Sequence, residues 1–405
     1  MKPKNIFAVF SGIILMICLF SPSLEAGDMA GLGHNYSARQ GAGALLANPA
    51  FVNSDDDFFI LELGGKLEVW NNALQSGYYY QHIDNEIKDD IFNKIEDGGL
   101  ILAADGHQDL RLIIGNVGLY AGLREDVFVN IDSDLVELLL EGNELNRVYE
   151  LEDFGGKAAV YADGGISASF SVGTLAGIFD FDEFILGFTG RGLAGAFGNV
   201  EGSGELEVTS EGDIKGYEDA YAEVEYAEMA AGGAIDIGIR AQTRGGLNIG
   251  AALLNIGKME AIDAYYRKFE YDPDFDPDQD EMPFKEVKYE KIDELVYELP
   301  RHFKFGLHYP LGNRIDLYGD YTRIMYGDDI GTDNIVAGGM ELRPLGIIPM
   351  RFGAQYSSHR DNLAFSTGLG LHLGPLQADV GVSDLKILSG EAQSAKVGVS
   401  ARIAF

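Results

Sequence analysis

The side chains that most often carry chemistry are sparse and scattered in this sequence. The seven histidines include no H-E-x-x-H pair, the spacing that puts two metal-binding imidazoles on one helix face. His302 and His308 fall on one face of a predicted strand, but residues six apart in a strand lie about 20 Å from each other. No G-x-S-x-G nucleophile elbow occurs either. We therefore expect no resident metal, no cofactor and no catalytic centre, and hence a protein that is not an enzyme.

Two further motifs match functional patterns, but a purely structural interpretation is favoured for each. Residues 190–195 match the dinucleotide pattern G-x-G-x-x-G, but a nucleotide site needs a helix next, and the glycine-rich run that follows is typical of a loop. Acidic residues alternate from Asp272 to Glu281, and such oxygen-rich loops can bind calcium. Pro277 stands where an EF-hand loop needs glycine, so a solvated acidic loop is the prediction and a calcium site the alternative.

The composition excludes two broad classes of protein. Of the 405 residues, 64 are Asp or Glu and 30 are Lys or Arg, which gives a net charge of −34. Such a charge argues against nucleic acid as a partner, because phosphate binding requires a positive field. The hydrophobic content of 46% excludes a wholly disordered chain, although glycine is abundant at 53 residues.

The first 26 residues resemble a targeting segment. Lys2 and Lys4 precede an apolar run from Ile6 to Phe20, and Ala26 is a small residue suited to cleavage. This pattern predicts a signal peptide over residues 1–26; a transmembrane anchor is the alternative, although the run is short for a span of about 20 residues. Cys18, the one cysteine, lies inside it, so we expect a mature chain without disulfides or reactive thiols.

The C-terminal half alternates apolar and polar residues with a period of two, which predicts strands with one apolar face. Leu363, Phe365, Leu369 and Leu371 share one face of such a stretch, and small or polar residues share the other. Similar stretches occur at 235–239, 247–253, 303–309, 315–321, 350–356, 376–382 and 397–405. A soluble β protein would turn the apolar faces inward, whereas a membrane barrel turns them to lipid.

Three features favour the membrane barrel. The faces opposite the apolar ones are rich in glycine, serine and charge, as a crowded polar lumen requires, and tyrosines often stand at strand ends. The chain ends on an alternating strand that includes Ile403 and Phe405, which resembles the assembly signal of bacterial outer-membrane barrels. We predict an all-β fold: a transmembrane antiparallel β-barrel over residues 56–405, with about 14 strands and a range of 12 to 16.

The front half contains segments that do not fit a barrel wall. Residues 27–55 are too irregular for a strand and are predicted to form a plug inside the lumen, with a flexible periplasmic tail as the alternative. Apolar residues at helical spacing predict helical insertions near 83–96 and 133–150, with Ser133 as a cap of the second. These helices would form either a lid over a ligand or a packing insertion. An acidic loop is expected near 260–299, on the extracellular side, with the turns at 310–313 and 374–375 on the periplasmic side.

Two stretches resemble a known family. Gly41 to Ala44, followed by Asn48-Pro49-Ala50, is similar to the N-terminal hatch of the long-chain fatty-acid transporter (FadL-like) superfamily of outer-membrane barrels. Residues 349–356 and 369–375 are similar to the last hairpins of that superfamily, and also of its conjugal-transfer TraF-like branch.

The resemblance implies a 14-stranded barrel with the hatch in its lumen, and passive uptake of a hydrophobic molecule through a lateral opening or a hatch rearrangement. It assigns a hatch role to Asn48 and Pro49.

The expected location is therefore the bacterial outer membrane. The expected partners are the lipid bilayer, the outer-membrane assembly machinery and a hydrophobic small-molecule ligand, with no nucleic acid. The leading functional hypothesis is passive uptake of hydrophobic or amphipathic small molecules. The alternative is a non-transporting barrel that belongs to a secretion or conjugation machine. An apolar pocket in the lumen would favour uptake, and a lumen crossed by Arg–Asp pairs would favour the alternative.

Overall fold

The computed structural model describes residues 32, 34, 36–39, 41–52, 57–95, 98–208, 214–215, 219–272, 284–327 and 331–405. The predicted signal peptide and most of the acidic cluster, residues 273–281, lie outside these ranges. None of the helices in the described part of the chain is long and apolar enough to cross a bilayer.

One antiparallel sheet forms the wall of the protein. Its strands are β1 (Phe59–Asn71), β2 (Leu100–Ile114), β3 (Val117–Ile131), β4 (Val148–Ser171), β5 (Glu183–Val208), β6 (Ile214–Lys215), β7 (Tyr221–Gln242), β8 (Asn248–Tyr271), β9 (Phe284–Ile292), β10 (Val296–Glu298), β11 (Arg301–Leu311), β12 (Ile315–Gly327), β13 (Gly331–Leu342), β14 (Met350–Ser357), β15 (Asn362–Leu373), β16 (Leu376–Ser383) and β17 (Ser394–Ala404). Because β1 pairs with β17, the wall is closed. Fourteen strands make the circuit, while β6, β9 and β10 add pairings along β5 and β8.

The predicted fold class is confirmed: the protein is a closed 14-stranded antiparallel β-barrel. The alternation of side chains is also as expected. Leu363, Phe365, Leu369, Leu371 and Leu373 are exposed on the outside of β15, whereas Ala364 and Ser366 between them are buried. The same holds for Phe303, Phe305 and Leu307 around the buried Lys304 on β11. A continuous apolar belt on the outside with polar residues inside is the arrangement of a barrel that lies in lipid.

Helices occur only between strands or ahead of them in the described ranges. They are α1 (Asn85–Ile95), α2 (Ser133–Glu141) and α3 (Gly173–Phe179), with short 3₁₀ helices at Ala42–Leu46, Pro49–Phe51, Ser76–Tyr80 and Leu385–Leu388. Helices α1 and α2 pack over the tops of β1 to β3 around a shared apolar cluster that includes Ile87, Ile91 and Val136.

The structure corrects the expected helix near 133–150. Asp132, not Ser133, caps α2, since its side chain accepts a hydrogen bond from the Asp134 amide at 2.7 Å. The helix ends at Glu141 because Gly142 adopts a positive φ of 83°, and residues from Val148 onward belong to β4.

A second correction concerns the acidic loop expected near 260–299. Strand β8 continues to Tyr271 and β9 returns along it, so this segment is mostly a β-hairpin that extends the wall. Strand β9 is exposed on both faces and residues 265–271 of β8 are half-buried, so the hairpin lacks the apolar alternation that marks strands in lipid. Stacked rings hold the strands together instead: Tyr265 lies 5.4 Å from Tyr226 and 5.8 Å from Tyr289 between ring centroids.

A third correction concerns the glycine-rich run that follows residues 190–195, which continues β5 to Val208 and is not a loop. The motif itself lies in the same strand. Arg191, between its first two glycines, points into the lumen, where it pairs with Asp163 at 2.9 Å.

The outer belt gives a direct test of the orientation of the wall. Leu369, in the middle of β15, has 52% of its surface exposed, and Leu388, in the connection after β16, has 86%. We expect Leu369→Arg to lower the free energy of unfolding in lipid vesicles by about 2–4 kcal/mol, because a cation then faces hydrocarbon. Leu388→Arg should change it by less than about 0.5 kcal/mol. Equal effects in urea-unfolding measurements would contradict a lipid-facing Leu369.

Candidate functional site

The N-terminal residues 32–52, where described, lie inside the barrel and not below it. Leu32, Tyr36, Ala38 and Phe51 are fully buried, and the short helix at Pro49–Phe51 contacts the inner faces of β4, β5 and β7. Leu45 and Leu46, from the preceding 3₁₀ helix, line a cavity above them. The segment therefore forms the floor of the space inside the wall.

Asn48 and Pro49, the two residues assigned from the family resemblance, lie at the centre of this floor. The Asn48 side chain accepts a hydrogen bond from the Ala50 amide at 3.0 Å, and Pro49 occupies the first position of the 3₁₀ helix, where its missing N–H costs nothing. The Asn48 Nδ2 donates to the carbonyls of Ile239 at 3.1 Å and Ala251 at 3.2 Å. One side chain thus caps its own helix and ties it to β7 and β8.

Glycines on the inner face of the wall make room for this segment, because they have no side chain. A Cβ on Gly238 of β7 would overlap the Asn48 Oδ1, and a Cβ on Gly187 of β5 would overlap the Ala50 amide nitrogen. Gly353 of β14 stands in the same relation to the Leu32 carbonyl. The close approach of two backbones requires the absence of a side chain at these positions.

Asp320 of β12 holds the other end of the segment. It accepts hydrogen bonds from the Ser37 amide at 2.7 Å and the Ser37 hydroxyl at 2.6 Å, and it lies 3.1 Å from the His34 Nε2. Thr322 lies 3.0 Å from the same nitrogen. Burial lowers the pKa of His34, and it outweighs the hydrogen bond that Asp320 accepts from His34, which acts to raise the pKa.

Above the floor, the barrel encloses a cavity of about 600 Å³, which is in the size range of small-molecule sites. Its lining has one apolar sector and one basic sector. The apolar sector joins a buried cluster from β4, β5, β7, β8 and the residues flanking β10, which consists of Ala159, Tyr161, Leu193, Phe197, Ala227, Ala230, Ala234, Met259, Ala264, Leu295 and Leu299. The Tyr297 ring packs against this cluster, 5.6 Å from the Phe197 centroid, and lines the cavity.

The basic sector is arranged around Glu68, and its Lys66 also pairs with Asp105. Glu68 of β1 accepts hydrogen bonds from Arg360 at 2.6 Å, and it lies 2.9 Å from the Lys396 Nζ and 3.3 Å from the Lys66 Nζ. Arg360 comes from the turn between β14 and β15, and its guanidinium carbon lies 4.5 Å from the centre of the Trp70 ring. The sector therefore offers both cations and an aromatic face.

Other ion pairs run along the wall and do not cross the lumen. Arg191 of β5 pairs with Asp163 of β4 and Asp236 of β7, both on adjacent strands. Arg111 and Glu62 pair between β2 and β1 at 2.8 Å. Since these pairs lie side by side against the sheet, they satisfy inward charges and leave the cavity open. Sequence reasoning missed Arg191 and Glu68; an inward charge on an alternating strand is the signal that indicates such positions.

The histidines singled out from the sequence are not brought together. His302 lines the cavity, whereas His308 lies 2.9 Å from Asp316 on the next strand, nearer the short turns. In the part of the chain that the structure describes, no three His, Cys, Asp or Glu residues are placed to hold a metal ion. None of the described cavity-lining residues comes from α1 or α2, which favours a packing role for these helices over a lid.

The C-terminal residues close the wall. The Phe405 amide donates to the Phe59 carbonyl at 2.9 Å, the Phe59 amide donates back at 3.1 Å, and Ile403 pairs with Leu61. Both Ile403 and Phe405 expose their side chains on the outside. Their role as an assembly signal stays a prediction.

Solved structures share this architecture. The toluene transporter TbuX of Ralstonia pickettii gives a TM-score of 0.54 at 13% identity, over 93% of this chain and 98% of its own. A FadL homologue of Pseudomonas aeruginosa gives 0.54 at 12% identity, over 95% and 99%. The toluene transporter TodX of P. putida gives 0.51 at 11% identity, over 93% and 98%. The fold is that of the FadL-like barrels. No protein-family model and no curated protein matches the chain.

This FadL-like fold, together with the apolar belt, is that of a barrel of the bacterial outer membrane, as the sequence predicted. The convention of such barrels predicts that the end with the short turns at 115–116, 312–314 and 374–375 faces the periplasm, and that the end with α1, α2 and the β8–β9 hairpin faces outward.

The glycine at the floor can be tested with a matched pair of variants. Gly238→Ala places a methyl group on Asn48, so we expect a loss of about 1–3 kcal/mol in stability and faster protease cleavage within residues 27–57. Gly190→Ala adds the same group on β5 where nothing lies within 4 Å, and it should leave both measurements near wild type. Identical digestion patterns for the two variants would show that the contact does not hold the segment.

His34 predicts a pH dependence of stability. An unfolded imidazole has a pKa of about 6.5, so below that pH the unfolded state binds more protons than the folded state, whose His34 pKa is lowered. Stability therefore falls on acidification through pH 6.5, by at most about 1.4 kcal/mol per pH unit from this group. His34→Gln should flatten the difference in unfolding free energy between pH 7.5 and 5.5, and the exposed His82→Gln should not.

Proposed function

We propose that the protein is a passive channel of the outer membrane for hydrophobic or amphipathic small molecules. The observation that carries this proposal is the cavity enclosed by the lipid-facing wall, with the apolar sector around Tyr161 and Tyr297 on one side. A ligand that is poorly soluble in water gains free energy when it enters such a sector, and the closed wall separates it from the bilayer. The protein is proposed to be a transport protein and not an enzyme.

The N-terminal segment, residues 27–55, is proposed to act as a hatch below the cavity. Support comes from the burial of its described residues and from hydrogen bonds of Asn48, Ser37 and His34 to the wall. Within its described residues the segment pairs with no strand of the wall, so it can rearrange without opening the barrel. Passage into the periplasm would follow when the Asn48 contacts with β7 and β8 break.

The names of the structural neighbours agree with uptake. TbuX and TodX are described as toluene transporters, and the structural match covers 98% of each of those chains. The alternative, a non-transporting barrel in a secretion or conjugation machine, would be favoured by charge pairs that block the lumen. The Arg191 and Arg111 pairs lie along the wall instead, and about 600 Å³ stays open.

Uptake can be measured in cells whose outer membrane otherwise excludes hydrophobic compounds. We expect cells that express the protein to take up radiolabelled toluene or oleate several-fold faster than cells with an empty vector. Ala104→Trp fills part of the cavity from β2 and should lower the rate toward the vector level, whereas Ala194→Trp, on the outside of β5, should not.

Folding of each variant is checked by its heat-dependent mobility in detergent gels. Equal uptake by expressing and vector cells for every compound, with folded protein present, would contradict transport and favour the machine component.

A further inference from the structure

One point in the cavity combines a cation with an aromatic face. Arg360 lies over the Trp70 ring at 4.5 Å and donates to Glu68 at 2.6 Å. The Phe128 ring stands edge-on to Trp70, 6.5 Å away between centroids, and also lines the cavity. An anionic group that binds Arg360 would therefore lie next to the aromatic rings of Trp70 and Phe128.

The surrounding charge favours an anion at this point. Lys396 and Lys66 converge on the same Glu68 carboxylate from β17 and β1. Among the described lining residues, seven are Lys or Arg and five are Asp or Glu: Lys66, Arg124, Lys157, Arg191, Lys304, Arg360 and Lys396 against Glu68, Asp105, Asp126, Asp236 and Glu298. In the whole chain acids outnumber bases by 64 to 30. Because Asp163 behind the lining pairs with Arg191 and Arg124, the excess of positive charge lies in the basic sector, where Arg360, Lys396 and Lys66 meet Glu68 and Asp105.

The polarity of the remaining lining limits the size of the apolar part of a ligand. Asp105 pairs with Lys66 of the basic sector, Asp126 accepts hydrogen bonds from Tyr161 and Tyr297 of the apolar sector, and both line the cavity together with Arg124 and His302. A long alkyl chain held beside the basic sector would remove water from these groups without replacing their hydrogen bonds, and a neutral hydrocarbon would gain nothing from the cations there, so both would lie in the apolar sector instead. A compact ring that stays against Trp70 and Phe128 avoids this cost.

We infer that the cavity binds compact aromatic monocarboxylates of the benzoate class. The carboxylate is held by Arg360 and Lys396 through charge-assisted hydrogen bonds, and the ring packs against Trp70 and Phe128. This inference rests on the proposed uptake function for its biological meaning, but it concerns the ligand chemistry of the site itself.

Trp70 supplies the measurement, because it is the single tryptophan of the chain. The full-length barrel in lipid nanodiscs is titrated with benzoate, benzamide and octanoate, and the tryptophan fluorescence and the heat of binding are both recorded. We expect saturable binding of benzoate in both signals. Benzamide, which lacks the charge, and octanoate, which lacks the ring, should bind at least about tenfold more weakly.

Matched lysine variants locate the anion. Lys396→Met keeps the length of the side chain and removes its charge, so benzoate binding should weaken about tenfold while benzamide binding is unchanged. Lys285→Met, in the exposed strand β9 away from the cavity, should bind all three compounds as wild type does.

Each result decides between the two proposals. Octanoate or benzamide binding as tightly as benzoate, an unchanged benzoate affinity in Lys396→Met, or no saturable signal from benzoate in either measurement would overturn the inference. Uptake of toluene or oleate would survive such an outcome as a separate finding. Conversely, tight benzoate binding with no uptake of any compound, benzoate included, would overturn the proposed transport function but would support the benzoate site.

Discussion

Closure of the wall between β1 and β17 is the constraint on which the rest of the structure depends. The two strands pair from Ile60 to Trp70, and the Phe59 and Phe405 backbones complete the ladder at its end. In hydrocarbon no water satisfies a free N–H or C=O group, so a sheet can lie in lipid only without an edge. Once the circuit is complete, every residue of a strand must face either lipid or lumen, and the alternation in the sequence follows from that choice.

The same constraint explains why the inside is polar and how the protein fills it. Fourteen strands enclose more space than their own inward side chains occupy, and part of that space is filled by the N-terminal residues. Glycines on the inner face let two backbones approach at Gly238 and Gly187, and Asn48 and Asp320 satisfy the polar groups that meet there. Charges that point inward on adjacent strands, such as Arg191 and Asp163, neutralise each other along the wall.

Elements with one face in lipid could be predicted from the sequence, because lipid enforces a period of two over many residues. The outward positions of Phe305 and Leu369 are examples. The β8–β9 hairpin could not be predicted in this way. Strand β9 is exposed on both faces, and stacked tyrosines take the place of an apolar face. The glycine-rich run after residue 195 was predicted wrongly for a related reason, because glycines inside a long strand resemble a loop by composition alone.

The cavity was least accessible to sequence reasoning, because its two sectors are assembled from distant strands. Glu68, Arg360 and Lys396 are up to 328 positions apart in the chain and meet only because closure places β17 beside β1. Their convergence has an electrostatic consequence. An outward surface rich in carboxylates repels anions at long range but is screened beyond about 8 Å at physiological salt, whereas cations inside the low-dielectric wall act at short range with little screening. The hydrophobicity of a ligand must therefore bring it to the outer opening of the cavity before the cations inside can bind its charge. Entry and recognition then depend on different properties of the same molecule.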